Sequence, residues 1–386
     1  MSQKKASIVP LLMTPGPTQV RKNVLNARAV ERTNPDLDPD FFNFYRKTCR
    51  RVASFLNASS QVLILGGEGM IALDAACASL AEPGDRVLIL DNGIFGEGFA
   101  DLVKAYGAEP VAFKGERTRG LSAADLKAFL DQDSDFKFAT IVHCDTPSGV
   151  LNDVSVLCPL LKSYGILTVV DAVSSMVGEP IFADDWRIDI CLGASQKGFS
   201  APPGLSFVSI SNDAWELIEN RKTPIPSYYC NLLIWKYYYP NFWFPYTPPI
   251  HDIYGFRQAL ENVRADKKIY ARHQKIAKAV RKAVVKAGLS LYLTSDYCST
   301  VTAIRVPENL DGERLVQKIK KESNILIGGN FGYLKGRVIR IGHMGENARK
   351  NSVLKTLIAL QKVLEKEGVS LKADMAAVFL NEMKKK

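Results

Sequence analysis

The chain lacks any apolar run near the roughly 20 residues that a membrane-spanning helix requires, and even the stretch around Ile166 to Val170 falls far short. The opening MSQKKASIVPLLM has no signal-peptide core. A cytoplasmic protein without a membrane partner is expected. Paired cysteines are also missing. Cys49, Cys77, Cys144, Cys158, Cys191, Cys230 and Cys298 are scattered, odd in number and never in a C-x-x-C pair. This excludes a disulfide or zinc framework and leaves reduced core thiols. Histidine is scarce. His143, His251, His273 and His343 show no ligand spacing, so no metal site is expected. Low-complexity tracts and repeats are absent as well, which confines disorder to the ends, such as the closing KKK.

The charge is not of one sign. Fifty Lys and Arg face 40 Asp and Glu, a net charge of +10, and the two signs interleave along the whole chain. That pattern fits a solvated basic surface better than a nucleic-acid face. What is present is a globular composition, 47% hydrophobic and 23% charged over 386 residues. Such a length suits a large domain with a smaller one.

From about residue 61 to 210, short β-branched and aliphatic runs alternate with helical stretches, the pattern of βαβ units in a mostly parallel, doubly wound α/β sheet. The runs are QVLIL, RVLIL, EPVAF, FATIVH, ILTVVD, DICLG and GLSFVSI. Helices fall between them, among them one opened by Ser122 with Asp125 as a capping box and one closed by Gly165. Ligands of such sheets bind at the carboxyl ends of the strands. The segment Thr223 to Ile253 breaks this rhythm with prolines and aromatics. It is too apolar for a solvent loop, so burial against the active site or a partner subunit is expected. One long helix is expected from about Tyr254 to Ala287, followed by strand, helix, strand and helix in a smaller α+β domain. The expected division is an N-terminal arm over 1–20, a large domain over 21–285 and a small C-terminal domain over 286–386.

Three constellations carry chemistry. In LILGGEGMIALDAA a strand runs through Gly66, Gly67, Glu68 and Gly69 into a helix whose free N–H groups favour a phosphate. Gly67, Gly69 and Ala72 also satisfy the dinucleotide pattern G-x-G-x-x-A, and a purely structural turn stays open. In ILTVVDAVSS a strand ends on Asp171, either a helix cap or a functional carboxylate. In DICLGASQKGFSAPPG another strand leads to Ser195, Gln196 and Lys197 among small residues. A lysine so placed is a candidate for a desolvated amine able to form a Schiff base. Asp171 would then sit under a pyridinium nitrogen and keep it protonated.

These segments, with LMTPGPTQV, DNGIFGEG, DTPSGV, PYTPP and RIGHMG in order along nearly the whole chain, resemble the class V aminotransferases of the alanine–glyoxylate and serine–pyruvate group. The resemblance implies the type I pyridoxal-phosphate-dependent transferase fold, pyridoxal 5′-phosphate as cofactor and small amino acids and 2-oxo acids as substrates. It implies Lys197 as the Schiff-base lysine and Asp171 as partner of the ring nitrogen. Gly69, Met70 and Gln196 match the phosphate cup, Phe95 the residue stacked on the ring, and Thr146 the hydroxyl near the phenolic oxygen. Arg340 matches the clamp for the substrate carboxylate, with Gly16 beside the substrate; without the resemblance Arg340 would read as a surface strand residue. Thr247 matches a phosphate contact donated by the neighbouring subunit, which implies a homodimer with shared sites.

Two positions depart from the family. Glu68 stands in the cup where a small residue is usual, and a carboxylate repels a phosphate dianion unless it turns away or is protonated. Phe244 replaces a phosphate-binding tyrosine. Both resemble pyridoxamine–pyruvate aminotransferase, which uses the free vitamin, and this is the alternative function. A dehydrogenase would leave Lys197, Asp171 and Arg340 without roles. A cysteine desulfurase would need Cys298 as nucleophile, in a context that reads as a packed thiol.

Overall fold

The computed structural model describes residues 9–385. The first eight residues of the expected arm, with most of the opening read for a signal peptide, and the last lysine of the closing KKK lie outside them. A short strand, β1 (Leu11–Met13), precedes helices α1 (Lys22–Arg28) and α2 (Pro39–Phe55). α2 begins with proline in its first turn, and the Asp38 carboxylate accepts the Asp40 N–H at 2.8 Å. Both features favour a helix start at that point.

The alternating region then gives β2 (Gln61–Gly66), α3 (Gly69–Leu80), β3 (Arg86–Asp91), α4 (Ile94–Ala105), β4 (Glu109–Lys114) and α5 (Ala123–Leu130). It continues through β5 (Phe138–Val142), α6 (Val154–Ser163), β6 (Leu167–Asp171), β7 (Ile190–Ala194), β8 (Leu205–Ile210) and α7 (Asn212–Glu219). All seven expected runs are strands of one sheet, in the order β2-β8-β7-β6-β5-β3-β4. Strands β4, β3, β5, β6 and β7 run parallel, whereas β8 is antiparallel to both β7 and β2. Two reversals restore direction, so β2 ends at the same edge as β7. Every residue of β5, β6 and β7 is buried, which is why these strands read as continuous apolar runs rather than alternating ones. Ser122 Oγ accepts the Asp125 N–H at 3.2 Å and caps α5 as expected.

The expected helix from Tyr254 to Ala287 is two helices, α8 (Ile250–Ala265) and α9 (Ile269–Lys286). Asp266 interrupts the pattern: its N–H closes the last turn of α8 onto the Val263 carbonyl, and its carboxylate accepts the Lys268 N–H at 3.2 Å and pairs with Arg272. The apolar periodicity continues across this corner, so the break was hidden from it. Beyond α9 come β9 (Val301–Arg305), α10 (Gly312–Ser323), β10 (Ile325–Ile327), β11 (Val338–Gly342), α11 (Lys350–Lys366) and α12 (Met375–Lys384).

β9 and β11 pair antiparallel, with Arg340 opposite Ala303. β1 pairs parallel with β10, which ties the chain's beginning to its C-terminal part. The larger core runs from Val24 to Ile269, and the second includes Met13, Ile276 and residues to Phe379. α9 passes from one to the other. In the aromatic segment, Trp235, Tyr238 and Phe244 are buried against α2, with Phe244 stacked on Phe42 at 4.2 Å between centroids. Tyr228, Tyr229, Tyr237, Phe242 and Trp243 face outward.

Candidate active site

Strand ends create the site. β2, β3, β5, β6 and β7 finish at one edge of the sheet, where backbone groups lose their ladder partners and side chains converge. A cavity of about 220 Å³ opens there, lined by Gly16, Glu68, Gly69, Met70, Phe95, Thr146, Asp171, Gln196 and Lys197 among others. Nine positions singled out in the sequence therefore share one cavity. Arg340 lies just behind it, and Thr247 lies away from it.

Lys197 follows β7 in a tight loop over which the segment 14–18 is folded. Thr18 donates its N–H to the Gln196 carbonyl at 3.0 Å and its hydroxyl to the Lys197 carbonyl at 3.0 Å. The lysine Nζ donates to the Pro15 carbonyl at 2.7 Å and to Thr146 Oγ1 at 3.4 Å. Gly16 has a φ of +92°, and a Cβ there would fall 2.4 Å from Lys197 Cδ. Glycine is thus required both by the backbone and by the passage of the lysine. Burial pushes the Lys197 ammonium down to about 8; the nearby Arg340 guanidinium adds to this and Asp171 opposes it.

Asp171 ends β6 fully inside the protein. Burial raises its carboxyl to about 6, against the Val173 N–H bond and the charge of Lys197. Its Oδ1 accepts the Val173 N–H at 2.8 Å in a turn, and no helix follows. The helix-cap reading of Asp171 is therefore corrected: the carboxylate holds its own loop and faces the cavity. Thr146 shares a very short contact with Ser174.

The turn before α3 behaves as an anion cradle with an occupant from its own chain. Glu68 caps α3: Oε1 accepts the Met70 N–H at 3.2 Å, and Oε2 accepts Gln196 Nε2 at 3.3 Å. Two donors expected to meet a phosphate thus meet a carboxylate. Phe95 stands at the start of α4, edge-on to Phe331 at 6.1 Å.

Arg340 is buried, which corrects the surface-strand reading. Its Nε donates to the Gly329 carbonyl at 2.8 Å and Nη1 to the Thr146 carbonyl at 3.2 Å. Burial lowers its guanidinium to about 10, and Asp145 is the charge that pulls it back up. Thr247 is exposed, outside the cavity of its own chain, and donates to Asp36 at 2.7 Å. Cys298 is fully buried, its thiol 3.6 Å from the Val301 carbonyl, with no open face for a nucleophile. Two partners of the site escaped sequence reasoning: the Pro15 carbonyl and the Asp145 carboxylate. Asp145 stands beside Thr146 in DTPSGV, and this adjacency was the only available signal.

The donor and acceptor set fits pyridoxal phosphate. A buried amine of lowered basicity and a buried carboxylate occupy the cavity, an aromatic ring lines it, and the N–H donors of α3 and the Gln196 amide suit an anionic end.

The comparisons agree with this chemistry. The family model for aminotransferase class-V matches residues 12–332. An uncharacterised aminotransferase of Methanocaldococcus jannaschii is 34% identical over 370 residues, 94% of each chain. Pyridoxamine–pyruvate transaminase of Mesorhizobium japonicum is 30% identical, over 94% of this chain and 93% of its own. The solved structure of ureidoglycine–glyoxylate aminotransferase from Bacillus subtilis superposes with a TM-score of 0.94 at 25% identity, over 99% of this chain and all of that one. With the type I fold and a cavity built for pyridoxal phosphate, the chain belongs to the class V aminotransferases.

Proposed function

We propose that the enzyme moves an amino group from a small amino acid of the alanine or serine type to glyoxylate or pyruvate, with Lys197 as the residue that carries the cofactor. The observation behind this reading is the shared cavity lined by both the buried Lys197 amine and the Asp171 carboxylate, with Arg340 immediately behind Thr146. When bound, pyridoxal phosphate supplies an electron sink that stabilises negative charge at the substrate Cα.

The chain's own residues do the rest. Arg340 clamps the substrate carboxylate with a charge-assisted bond, beside Gly16. Asp171 would keep a proton on the ring nitrogen, and Phe95 would lie against the ring. Lys197 Nζ, at about 8 poised between charged and neutral near physiological pH, would take the proton from the substrate Cα and deliver it to C4′ of the cofactor. Gly69, Met70 and Gln196 would hold the phosphate with Glu68 turned out of the cradle, and Thr247 of a partner subunit would join them. Borohydride reduction of the cofactor-loaded protein followed by peptide mapping should place the label on Lys197. A label on any other lysine would remove it from this role.

A second reading is favoured by one observation: Glu68 already takes the Met70 N–H and the Gln196 amide. A carboxylate there is a natural acceptor for a free 5′-hydroxyl, and a relative over 94% of this chain is named pyridoxamine–pyruvate transaminase. Protein stripped of cofactor should then convert pyridoxamine and pyruvate to pyridoxal and alanine over many turnovers. A single turnover or none sustains the first reading.

A further inference from the structure

Asp145 is a fully buried carboxylate at the edge of the site for which the reaction above has no use. It belongs to the loop after β5, one residue before Thr146. Its Oδ1 accepts the N–H of Phe95 at 3.1 Å, and its Oδ2 accepts the Ser148 hydroxyl at 2.6 Å and the Ser148 N–H at 3.2 Å. Phe95 is the second residue of α4, and the N-cap position of that helix is Gly93, which has no side chain to cap with. The carboxylate therefore does from outside what a capping side chain does from within, at the end of the helix dipole where negative charge is favoured. Gly93 makes room for it: a Cβ there would lie 2.5 Å from Asp145 Cγ and 2.7 and 2.8 Å from its oxygens. On the other side, Arg340 donates to the carbonyl of the very next residue, Thr146.

We propose that Asp145 is a positioning residue with two effects: it caps α4 so that Phe95 is held at the cavity wall, and it partly neutralises Arg340, which limits how tightly substrate carboxylates are bound. The proposal rests on Arg340 being the carboxylate clamp. Where both groups are buried, a fixed negative charge near the guanidinium competes directly with an incoming carboxylate. Product release benefits, because a clamp of full strength would hold the keto acid as firmly as it holds the amino acid.

Three variants separate the two effects. Asp145→Asn keeps an acceptor for the Phe95 N–H but removes the charge; Asp145→Ala removes both; Arg340→Ala removes the clamp. The probe is propionate, which has neither an amino nor a keto group, titrated against the cofactor-loaded enzyme. Asp145→Asn should bind propionate on the order of tenfold more tightly while retaining the wild-type visible circular dichroism of the cofactor. Asp145→Ala should also bind it more tightly but change that spectrum, because Phe95 loses its support. Unchanged or weaker propionate binding in Asp145→Asn overturns the charge effect, and an unchanged spectrum in Asp145→Ala overturns the capping effect. Unaltered propionate binding in Arg340→Ala would instead show that the clamp assignment itself is wrong. If neither Asp145 variant folds, Gly93→Ala pushes the carboxylate aside and must change the spectrum in the same way.

Discussion

At the scale of single residues, the site is a set of charges kept from water, and its titration is its signature. Lys197 in the cofactor-free chain is lowered to about 8, whereas an unfolded lysine titrates near ~10.4. Between these values the unfolded state binds more protons, so stability rises with pH across that window and is lost as pH falls toward 8. Trinitrobenzenesulfonate should therefore modify Lys197 with a midpoint near 8, found by mapping its peptide against pH; a midpoint matching the surface lysines would mean that the amine is solvated. Glu68→Ser makes a second test. It frees the Met70 N–H and the Gln196 amide and removes a carboxylate from the cradle, so pyridoxal phosphate should bind on the order of tenfold more tightly, as read by equilibrium dialysis. Looser binding would make Glu68 a ligand rather than an obstacle. Lys197 and Asp171 were legible in the sequence because Asp171 ends a continuous apolar run and Lys197 follows another among small residues. Asp145 as helix cap and Pro15 as lysine acceptor were not, because their partners lie 50 and 182 positions away and no local pattern records such pairings.

At the scale of elements, the active-site strap is held by backbone proximity. The segment after β1 crosses β11 so closely that a Cβ on Gly342 would fall 2.2 Å from the Thr14 carbonyl oxygen and 2.4 Å from Pro15 N. Both neighbours are main chain, so nothing can swing aside, and the same strap supplies the Pro15 carbonyl to Lys197. Gly342→Ala should cost ~1–3 kcal/mol, as overpacking of a tight contact does. It should also expose Lys197 to the amine reagent. A lowered Tm with unaltered reagent access would separate the strap from the lysine. The long central strands were readable because burial on both faces leaves an unbroken apolar word. β1 and β10 were not: each has three residues, shorter than any periodicity can register, and only their pairing across more than 300 positions defines them. The corner at Asp266 escaped for the opposite reason, since apolar spacing on both sides continues through it.

At the scale of the whole molecule, one chain leaves two features without a purpose. Thr247 is exposed and outside its own cavity, although the family resemblance gives it a phosphate contact. Around it the aromatic segment keeps Tyr228, Tyr229, Tyr237, Phe242 and Trp243 exposed while its other half is stacked against α2. An ordered segment presenting so much aromatic surface is the usual mark of an interface. A homodimer in which each Thr247 reaches the other subunit's cavity would account for both features. Sedimentation should show a dimer, and Trp243→Asp should weaken it. The sharing of sites is tested by mixing inactive Lys197→Ala subunits with Thr247→Val subunits. If Thr247 serves the opposite site, the hybrid contains one cavity in which both residues are native, and it should regain activity and hold one pyridoxal phosphate per dimer with wild-type affinity. If Thr247 serves its own chain, every cavity in the hybrid lacks one of the two residues. The mixture would then bind and turn over no better than Thr247→Val alone, and Thr247 would lose its place in the shared site.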